Sequence, residues 1–177
     1  MKYTLEGLET NRLHFRLLEQ TDFETWLPLF AEPDAVKFLA LDASLSQNEL
    51  CQFWFDKVLS RYENDLGGLN VLIDKTSGEF IGQCGLLVQT IENETYLEIG
   101  YSILPKYWGM GYATEAAIKV KKEAFKRNYA DLLISIVHVE NMGSAKVARR
   151  NGMSIMKSID NYHGIPIHMF GVSKSDS

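Results

Sequence analysis

Two glycines separated by one residue, Gly109 and Gly111, stand between a strand-like run and a helical run of this chain. A residue without Cβ adopts positive φ readily and lets a ligand approach the backbone closely. The first N–H groups of the following helix have no helical partners, and the helix dipole adds positive potential at that end. The stretch therefore predicts a site for phosphate oxygens. A tight connection without any ligand is the alternative interpretation.

Two common phosphate-binding motifs do not describe this turn. A P-loop requires Gly-Lys followed by Ser or Thr, whereas Gly111 is followed by Tyr112. A dinucleotide fingerprint requires a third small position, which Thr114 only approaches, and an acidic residue about 20 residues later that ends a second parallel strand. Asp131 lies near that spacing, but it begins the next predicted strand. The turn therefore indicates neither a P-loop nor a dinucleotide site.

The composition predicts one ordinary globular domain covering residues 1–177. The net charge is −5 with both signs spread along the chain, which argues against a nucleic-acid-binding surface. Cys51 and Cys84 are far apart in sequence and do not form a disulfide framework. We see neither a secretory signal nor an apolar run long enough to span a membrane. These features predict a soluble, cytoplasmic protein.

Hydrophobic periodicity and turn residues predict the elements that must position the glycine turn. Alternation of apolar and polar residues, or a continuous apolar run, predicts strands, and apolar residues at helical spacing predict helices. The order is that of a mixed α/β domain built around one sheet. The predicted helices cover 23–30, 34–39, 47–64, 112–127 and 141–151, and the predicted strands cover 11–18, 69–73, 79–90, 96–104, 131–139, 153–159 and 167–172.

The segment Lys106–Glu115 resembles the pyrophosphate-binding loop of the GNAT superfamily of acyl-CoA-dependent N-acyltransferases. That loop reads Gln or Arg, two residues, Gly, one residue, then Gly or Ala. Lys106 departs from the first position but keeps its positive charge. The stretch 107–116 is most similar to the Rim-type ribosomal-protein N-terminal acetyltransferases, and the element order is that of the superfamily. The resemblance implies that the loop binds acetyl-CoA through Lys106, Trp108, Gly109, Met110, Gly111, Tyr112, Ala113 and Thr114.

The resemblance also implies a fold: a single mixed, mostly antiparallel sheet flanked by helices on both faces. In the family, the strand before the loop separates from its neighbour and leaves N–H groups free for the acyl carbonyl. This assigns backbone contacts to Tyr101 and Ile103, and Gly100 is expected to permit a bulge. Glu98 lies on the same strand, where relatives often have a glutamate proposed as the general base. A solvated strand carboxylate is the alternative for Glu98.

The segment after the predicted strand 131–139 resembles the family segment that contacts the pantetheine arm. Asn141 is assigned that contact, although it also suits the N-cap of its helix. Ser144 has a hydroxyl that could donate toward the leaving thiolate. Many relatives place a general-acid tyrosine seven residues after this asparagine, but here the position is Ala148. Ser144, a water molecule or the solvent would then protonate the thiolate; Rim-type relatives also commonly lack the tyrosine.

Together these features predict direct acetyl transfer from acetyl-CoA to a primary amine, either a protein N-terminus or a small molecule. No metal-ligand spacing and no nucleophile motif appears, so we expect neither a metal nor a covalent enzyme intermediate. The acceptor groove is expected between residues 21–64 and the turn 161–166, with His163 and His168 as weaker candidates. The chain is expected to be a monomer or a homodimer.

Two other functions stay open at this point. One is a non-catalytic acyl-CoA-binding or sensor domain, which would bind the ligand through the loop without catalysing transfer. Ala148 favours this alternative, whereas Glu98 and Ser144 argue against it. A protein-interaction domain would instead use the aromatic residues of the predicted helix 47–64.

Overall fold

A computed structural model describes residues 2–176 of the chain. The described residues form a seven-stranded sheet with the order β1-β2-β3-β4-β5-β7-β6, in which β4 and β5 are parallel and all other neighbours are antiparallel. The strands are β1 (Leu13–Arg16), β2 (Gly67–Asp74), β3 (Phe80–Ile91), β4 (Glu94–Ile103), β5 (Leu132–His138), β6 (Ser154–Tyr162) and β7 (Ile165–Ser173). The helices are α1 (Phe23–Trp26), α2 (Pro33–Phe38), α3 (Gln47–Glu63), α4 (Tyr112–Lys126) and α5 (Met142–Arg150).

Helices cover both faces of this sheet, as predicted. On one face, Trp54 of α3 donates its indole N–H to the side-chain oxygen of Gln83 on β3, at 3.1 Å. On the other face, the hydroxyl of Tyr101 on β4 donates to the carbonyl oxygen of Ser144 on α5, at 2.9 Å. Tyr101 pairs with Cys84, the neighbour of Gln83, and neighbouring strand residues point to opposite faces. The two helices therefore lie on opposite sides.

Helix α4 packs closely on the α5 side because most of the residues it buries are small. Ala116, Ala117, Val120 and Ala124 are all fully buried. Their spacing places them on one stripe of the helix, and short side chains bring the helix backbone close to the sheet. This packing holds the start of α4, and with it the glycine turn, at the end of β4.

The parallel strands β4 and β5 separate after a short contact. Their paired residues are only Leu97 with Leu133 and Glu98 with Ile134. Strand β4 meanwhile stays paired with β3 along its whole length without a register shift. The expected separation is therefore present, but the expected bulge at Gly100 is wrong. A Cβ at Gly100 would lie 2.8 Å from a methyl group of Leu87, so this glycine makes room for a neighbouring side chain.

The last hairpin differs from its prediction in the length of its turn. Strands β6 and β7 are joined by two residues alone, His163 and Gly164, whose φ angles are 50° and 91°. Two consecutive positive φ angles are typical of the tight hairpin turn that matches strand twist. The predicted turn 161–166 is therefore too long. Strand β7 ends at Ser173 and a 3-10 turn follows at 174–176; residue 177 lies outside the described residues.

Two earlier predictions also have the wrong bounds. The helix predicted at 23–30 becomes the short α1 followed by a 3-10 segment at 27–31, since Pro28 lacks the N–H that an α-helix needs there. Strand β2 begins at Gly67 rather than at residue 69. A Cβ on Gly67 would lie 2.0 Å from the carbonyl oxygen of Leu86. Gly67 therefore belongs to the strand, and its lack of a side chain lets β3 approach.

Candidate active site

A groove of about 610 Å³ opens where β4 separates from β5. Its walls are the end of β4, the first residues of α4 and α5, and side chains of α2. The residues that line it include ten of the thirteen predicted site residues. These ten are Tyr101, Ile103, Trp108, Gly109, Gly111, Tyr112, Ala113, Thr114, Asn141 and Ser144.

The glycine turn forms one end of this groove. Gly109 and Gly111 have φ angles of 78° and 82°, a region that favours glycine. Gly111 is the N-cap of α4, and it has no side chain to cap the helix. The first helical hydrogen bond runs from the N–H of Glu115 to the carbonyl of Gly111. The N–H groups at 112–114 precede that bond and have no helical acceptors, so this end of the groove suits an anion.

The edge of β4 that faces away from β3 forms the middle of the groove. The hydroxyl of Ser135 donates to the carbonyl of Ile99 at 2.8 Å, and the indole of Trp108 donates to the carbonyl of Ile103 at 2.7 Å. In a strand, the N–H and C=O of one residue point to the same side, and every second residue repeats that direction. The N–H groups of Tyr101 and Ile103 therefore face the separated edge.

Glu98 lies at the point where β4 and β5 separate, but on the α3 face of the sheet. It is 7% exposed, and its carboxylate accepts a hydrogen bond of 2.6 Å from the side-chain amide of Gln89. The other oxygen lies 3.4 Å from the N–H of Ile136 on β5. Burial raises the pKa of Glu98, against the lowering effect of these hydrogen bonds and of the nearby Arg61 and Lys57. Glu98 is not among the residues that line the groove.

Asn141 and Ser144 meet Tyr101 on the α5 side of the groove. The side-chain oxygen of Asn141 accepts from the N–H of Ser144 at 2.9 Å, so Asn141 caps α5. The Ser144 hydroxyl donates to the phenol oxygen of Tyr101 at 3.1 Å, and that phenol donates to the Ser144 carbonyl. Burial raises the pKa of Tyr101, which keeps the phenol protonated at neutral pH. The site therefore contains a phenol, carried by β4, although Ala148 on α5 lacks one.

Three predicted residues lie outside the lining of the groove. One is Glu98, described above. Lys106 is exposed and forms an ion pair with Glu79 at 3.2 Å. The side chain of Met110 is exposed, and its carbonyl oxygen accepts a hydrogen bond from Arg12. The loop thus has a groove side and a back side, which sequence spacing alone does not distinguish.

Several residues that support the groove escaped the sequence analysis. Arg12 contacts the back of the glycine turn, and Ser135 takes the place of a missing strand partner at the separated edge. Phe38 and Leu39, from the α2 region, also line the groove. None of these residues has a local signal, because each reaches the site from an element distant in sequence.

The two cysteines are free thiols and lie in the interior. Burial raises the pKa of Cys51 to about 12 and that of Cys84 still further, so neither thiol is ionised at neutral pH. Within residues 2–176, no group of three His, Cys, Asp or Glu side chains is placed to hold a metal ion. In the same part of the chain, none of the helices combines the length and apolar character that a membrane span requires.

Comparison with known proteins identifies the family. Residues 12–154 match the family model described as an acetyltransferase (GNAT) domain. The protein YkkB of Bacillus subtilis is 34% identical over 156 residues, covering 86% of this chain and 87% of YkkB.

Solved structures share the fold. An acetyltransferase from Agrobacterium tumefaciens superposes with a TM-score of 0.79 at 24% identity, covering 98% of both chains. The ribosomal L7/L12 alpha-N-protein acetyltransferase RimL, in complex with coenzyme A, superposes with a TM-score of 0.73 at 16% identity, covering 97% of this chain and 99% of RimL. The resemblance found in the sequence is confirmed, and the chain belongs to the GNAT acetyltransferase family.

Proposed function

We propose that the protein transfers an acetyl group from acetyl-CoA directly to a primary amine, with the groove as the cofactor site. The observation that carries the proposal is the uncapped start of α4 at one end of a groove whose middle is the free edge of β4. The N–H groups at 111–114 hold the pyrophosphate, and Asn141 contacts the pantetheine arm. The thioester then lies at the edge of β4.

The free edge of β4 supplies the stabilisation that acyl transfer requires. When the amine attacks the thioester carbon, negative charge develops on the carbonyl oxygen. The N–H groups of Tyr101 and Ile103 are fixed donors for that oxyanion, and they need no reorganisation during the reaction. Collapse of the tetrahedral intermediate breaks the C–S bond, the nitrogen loses its extra proton, and the coenzyme A thiolate takes up one proton, so that the products are an amide and free coenzyme A.

The groups that move protons lie on the two faces of the sheet. Glu98, on the α3 face, accepts the proton of the incoming ammonium, directly or through a water molecule. Its raised pKa suits this role, because a general base works best when its pKa lies near the operating pH. Ser144 and the phenol of Tyr101, on the α5 face, donate to the departing thiolate after one of the two hydroxyls gives up the hydrogen bond that it makes within the protein. The amine therefore approaches from the α3 side.

The acceptor is proposed only as a class. RimL, which has the same fold, is an alpha-N-protein acetyltransferase of ribosomal L7/L12, so a protein N-terminus is one candidate for this chain. A small amine is the other. The phenol of Tyr101 weakens the case for a non-catalytic acyl-CoA binder, because that case depended on Ala148. We also propose a cytoplasmic location, supported by the two free thiols, and a monomer or a homodimer.

A thermal melt with acetyl-CoA tests the cofactor directly. At about 100 times its dissociation constant a ligand adds about 2.7 kcal/mol, which corresponds to a rise in Tm of about 5 to 10 °C for a chain of this size. ATP and NAD serve as controls, and a panel of amines with release of free coenzyme A then identifies the acceptor. An equal shift with NAD, or no shift with acetyl-CoA, would contradict the proposed cofactor.

Replacing Glu98 tests the base. We expect Glu98→Gln to lower kcat by about 10²- to 10⁴-fold at neutral pH and to recover in part at high pH, where the amine is already neutral. Acetyl-CoA affinity should stay unchanged, since Glu98 does not line the groove. Unchanged turnover across the pH range would show that Glu98 is not the base.

The same variant has a defined effect on stability. The folded protein raises the pKa of Glu98 above its unfolded value, so the fold favours the protonated form. This contribution is fully present below the unfolded pKa and is lost as pH rises through the folded pKa. Gln cannot ionise, so we expect Glu98→Gln to be at least as stable as the wild type at pH 7. Melts from pH 4 to 7 measure this difference and separate a catalytic defect from misfolding.

A further inference from the structure

Arg12, just before β1, contacts the glycine turn from behind. Its guanidinium donates to the carbonyl oxygen of Met110 at 3.0 Å and to the carboxylate of Glu115 on α4 at 2.6 Å, and it lies 4.2 Å from the ring centre of Tyr112. The other oxygen of Glu115 accepts from the backbone N–H of Arg12 at 2.9 Å and from the hydroxyl of Thr10 at 2.6 Å. Five interactions thus join the turn to a segment about a hundred residues earlier in sequence.

The bond to Met110 fixes the direction of one peptide group. A trans peptide is planar, so the carbonyl of Met110 and the N–H of Gly111 point in opposite directions. Because Arg12 binds the carbonyl behind the turn, the N–H of Gly111 points away from Arg12. Gly111 lines the groove, whereas Arg12 and Met110 do not. Without this bond the peptide could rotate and present a carbonyl oxygen, which repels phosphate.

The contacts to Glu115 remove an electrostatic conflict. Glu115 lies in the first turn of α4, where an unpaired carboxylate would occupy the positive end of the helix dipole and repel a bound pyrophosphate. Burial opposes ionisation of Glu115, but hydrogen bonds from Thr10 and Arg12 outweigh it and lower its pKa. The carboxylate is therefore charged, and Arg12 neutralises it.

We propose that Arg12 and Glu115 are positioning residues that hold the glycine turn in its anion-binding conformation. Arg12 does so by holding the Met110 carbonyl behind the turn and by neutralising Glu115, and Glu115 does so by fixing the guanidinium. The proposal rests on the proposed function, namely that the groove binds acetyl-CoA.

Strand β1 also provides a matched control. Arg16, four residues after Arg12, forms two hydrogen bonds of 2.7 Å with the carboxylate of Asp22. The side chains of this pair are 28% and 9% exposed, against 37% and 20% for Arg12 and Glu115. The control pair is thus the more buried one, and neither member lines the groove. Its loss should lower stability at least as much without affecting the turn.

The test compares Arg12→Gln with Arg16→Gln in the full chain. We expect Arg12→Gln to raise both the Kd and the KM for acetyl-CoA at least about tenfold, with kcat within about twofold of wild type. Arg16→Gln should lower Tm and leave Kd and KM within about twofold. Calorimetry gives Kd, and initial rates with the best amine give KM and kcat.

Two further variants separate the two effects of Arg12. Arg12→Lys keeps the charge without the planar fork, so we expect a Kd between those of wild type and Arg12→Gln. The double variant Arg12→Gln, Glu115→Gln lacks the repelling carboxylate, so it should bind acetyl-CoA more tightly than Arg12→Gln alone. Equal effects of Arg12→Gln and Arg16→Gln on Kd, or none from either, would overturn the inference. Failure of the wild type to bind acetyl-CoA would instead overturn the proposed function, and the inference with it.

Discussion

The first N–H groups of α3 and α4 lack helical acceptors, and the two helices differ in whether a side chain caps them. In α3, the Ser46 hydroxyl accepts from the N–H of Glu49 at 3.3 Å, and the Glu49 carboxylate accepts from the N–H of Ser46 at 2.8 Å. This capping box satisfies donors that the helix leaves free. In α4, the N-cap is Gly111 and no side chain caps the helix. Of these two helices, only α4, which has no side-chain cap, begins in the groove.

The start of α5 lies between these two cases. Asn141 caps the helix with its side-chain oxygen, yet it also lines the groove. Its amide NH₂ group can still donate to a ligand, because a carboxamide has both an acceptor and donors. Among α3, α4 and α5, the two helix starts that line the groove are therefore the ones with a missing or a shared cap. A complete cap marks a helix start whose role is structural.

A substitution that disrupts the uncapped start of α4 should have the largest effect on acetyl-CoA binding. We expect Gly111→Val to weaken acetyl-CoA binding at least about 100-fold, because a β-branched residue disfavours a φ of 82°. Either the turn changes its conformation or the valine side chain fills the space for the ligand. In both cases the N–H groups at 111–114 no longer point together at the bound phosphate. Calorimetry with acetyl-CoA measures the change.

Gly152 provides the control for this variant. It has the same φ of 82° and follows the C-terminal end of α5, and it is not among the residues that line the groove. A Cβ there would lie 3.4 Å from the side-chain amine of Lys121 and near no backbone atom outside the neighbouring residues. Gly152→Val should lower Tm by a similar amount to Gly111→Val and leave acetyl-CoA binding intact. Loss of binding in both variants would mean that general destabilisation explains the result.

The glycine turn could be predicted because its signal is local. Gly109, Gly111 and the helical pattern that follows them all fall within one short, continuous segment of the sequence. The contribution of Arg12 could not be predicted, since it depends on β1 reaching the back of the turn from about a hundred residues away. The α2 residues that line the groove could not be identified from the sequence for the same reason.

Strand alternation accounts for part of the proposed catalytic arrangement and not for the rest. A period of two already places Glu98 and Tyr101 on opposite faces of β4. Which face receives the amine depends on where β4 leaves β5, after Glu98 and Ile134, and that is a non-local property of the sheet. The role of the Tyr101 phenol likewise depends on how α5 packs on β4. Only its backbone contact was predicted from the sequence.

Removing the capping box of α3 should produce the smallest effect, and the effect should be on stability and not on ligand binding. Ser46→Ala removes the acceptor for the N–H of Glu49 and leaves the Glu49 carboxylate without a hydroxyl partner. An N-cap of this type contributes about 1 kcal/mol, so we expect Tm to fall by about 2 to 4 °C.

Acetyl-CoA binding and kcat should be unchanged in Ser46→Ala, because neither member of the capping box lines the groove. Ser46→Thr keeps a hydroxyl that can accept from the N–H of Glu49 and donate to its carboxylate, so it serves as the rescue variant and should recover most of the lost stability. A change in Kd without a change in Tm would contradict the distinction between the two helix starts. The start of α3 would then be coupled to the ligand, although its own donors are satisfied within the protein.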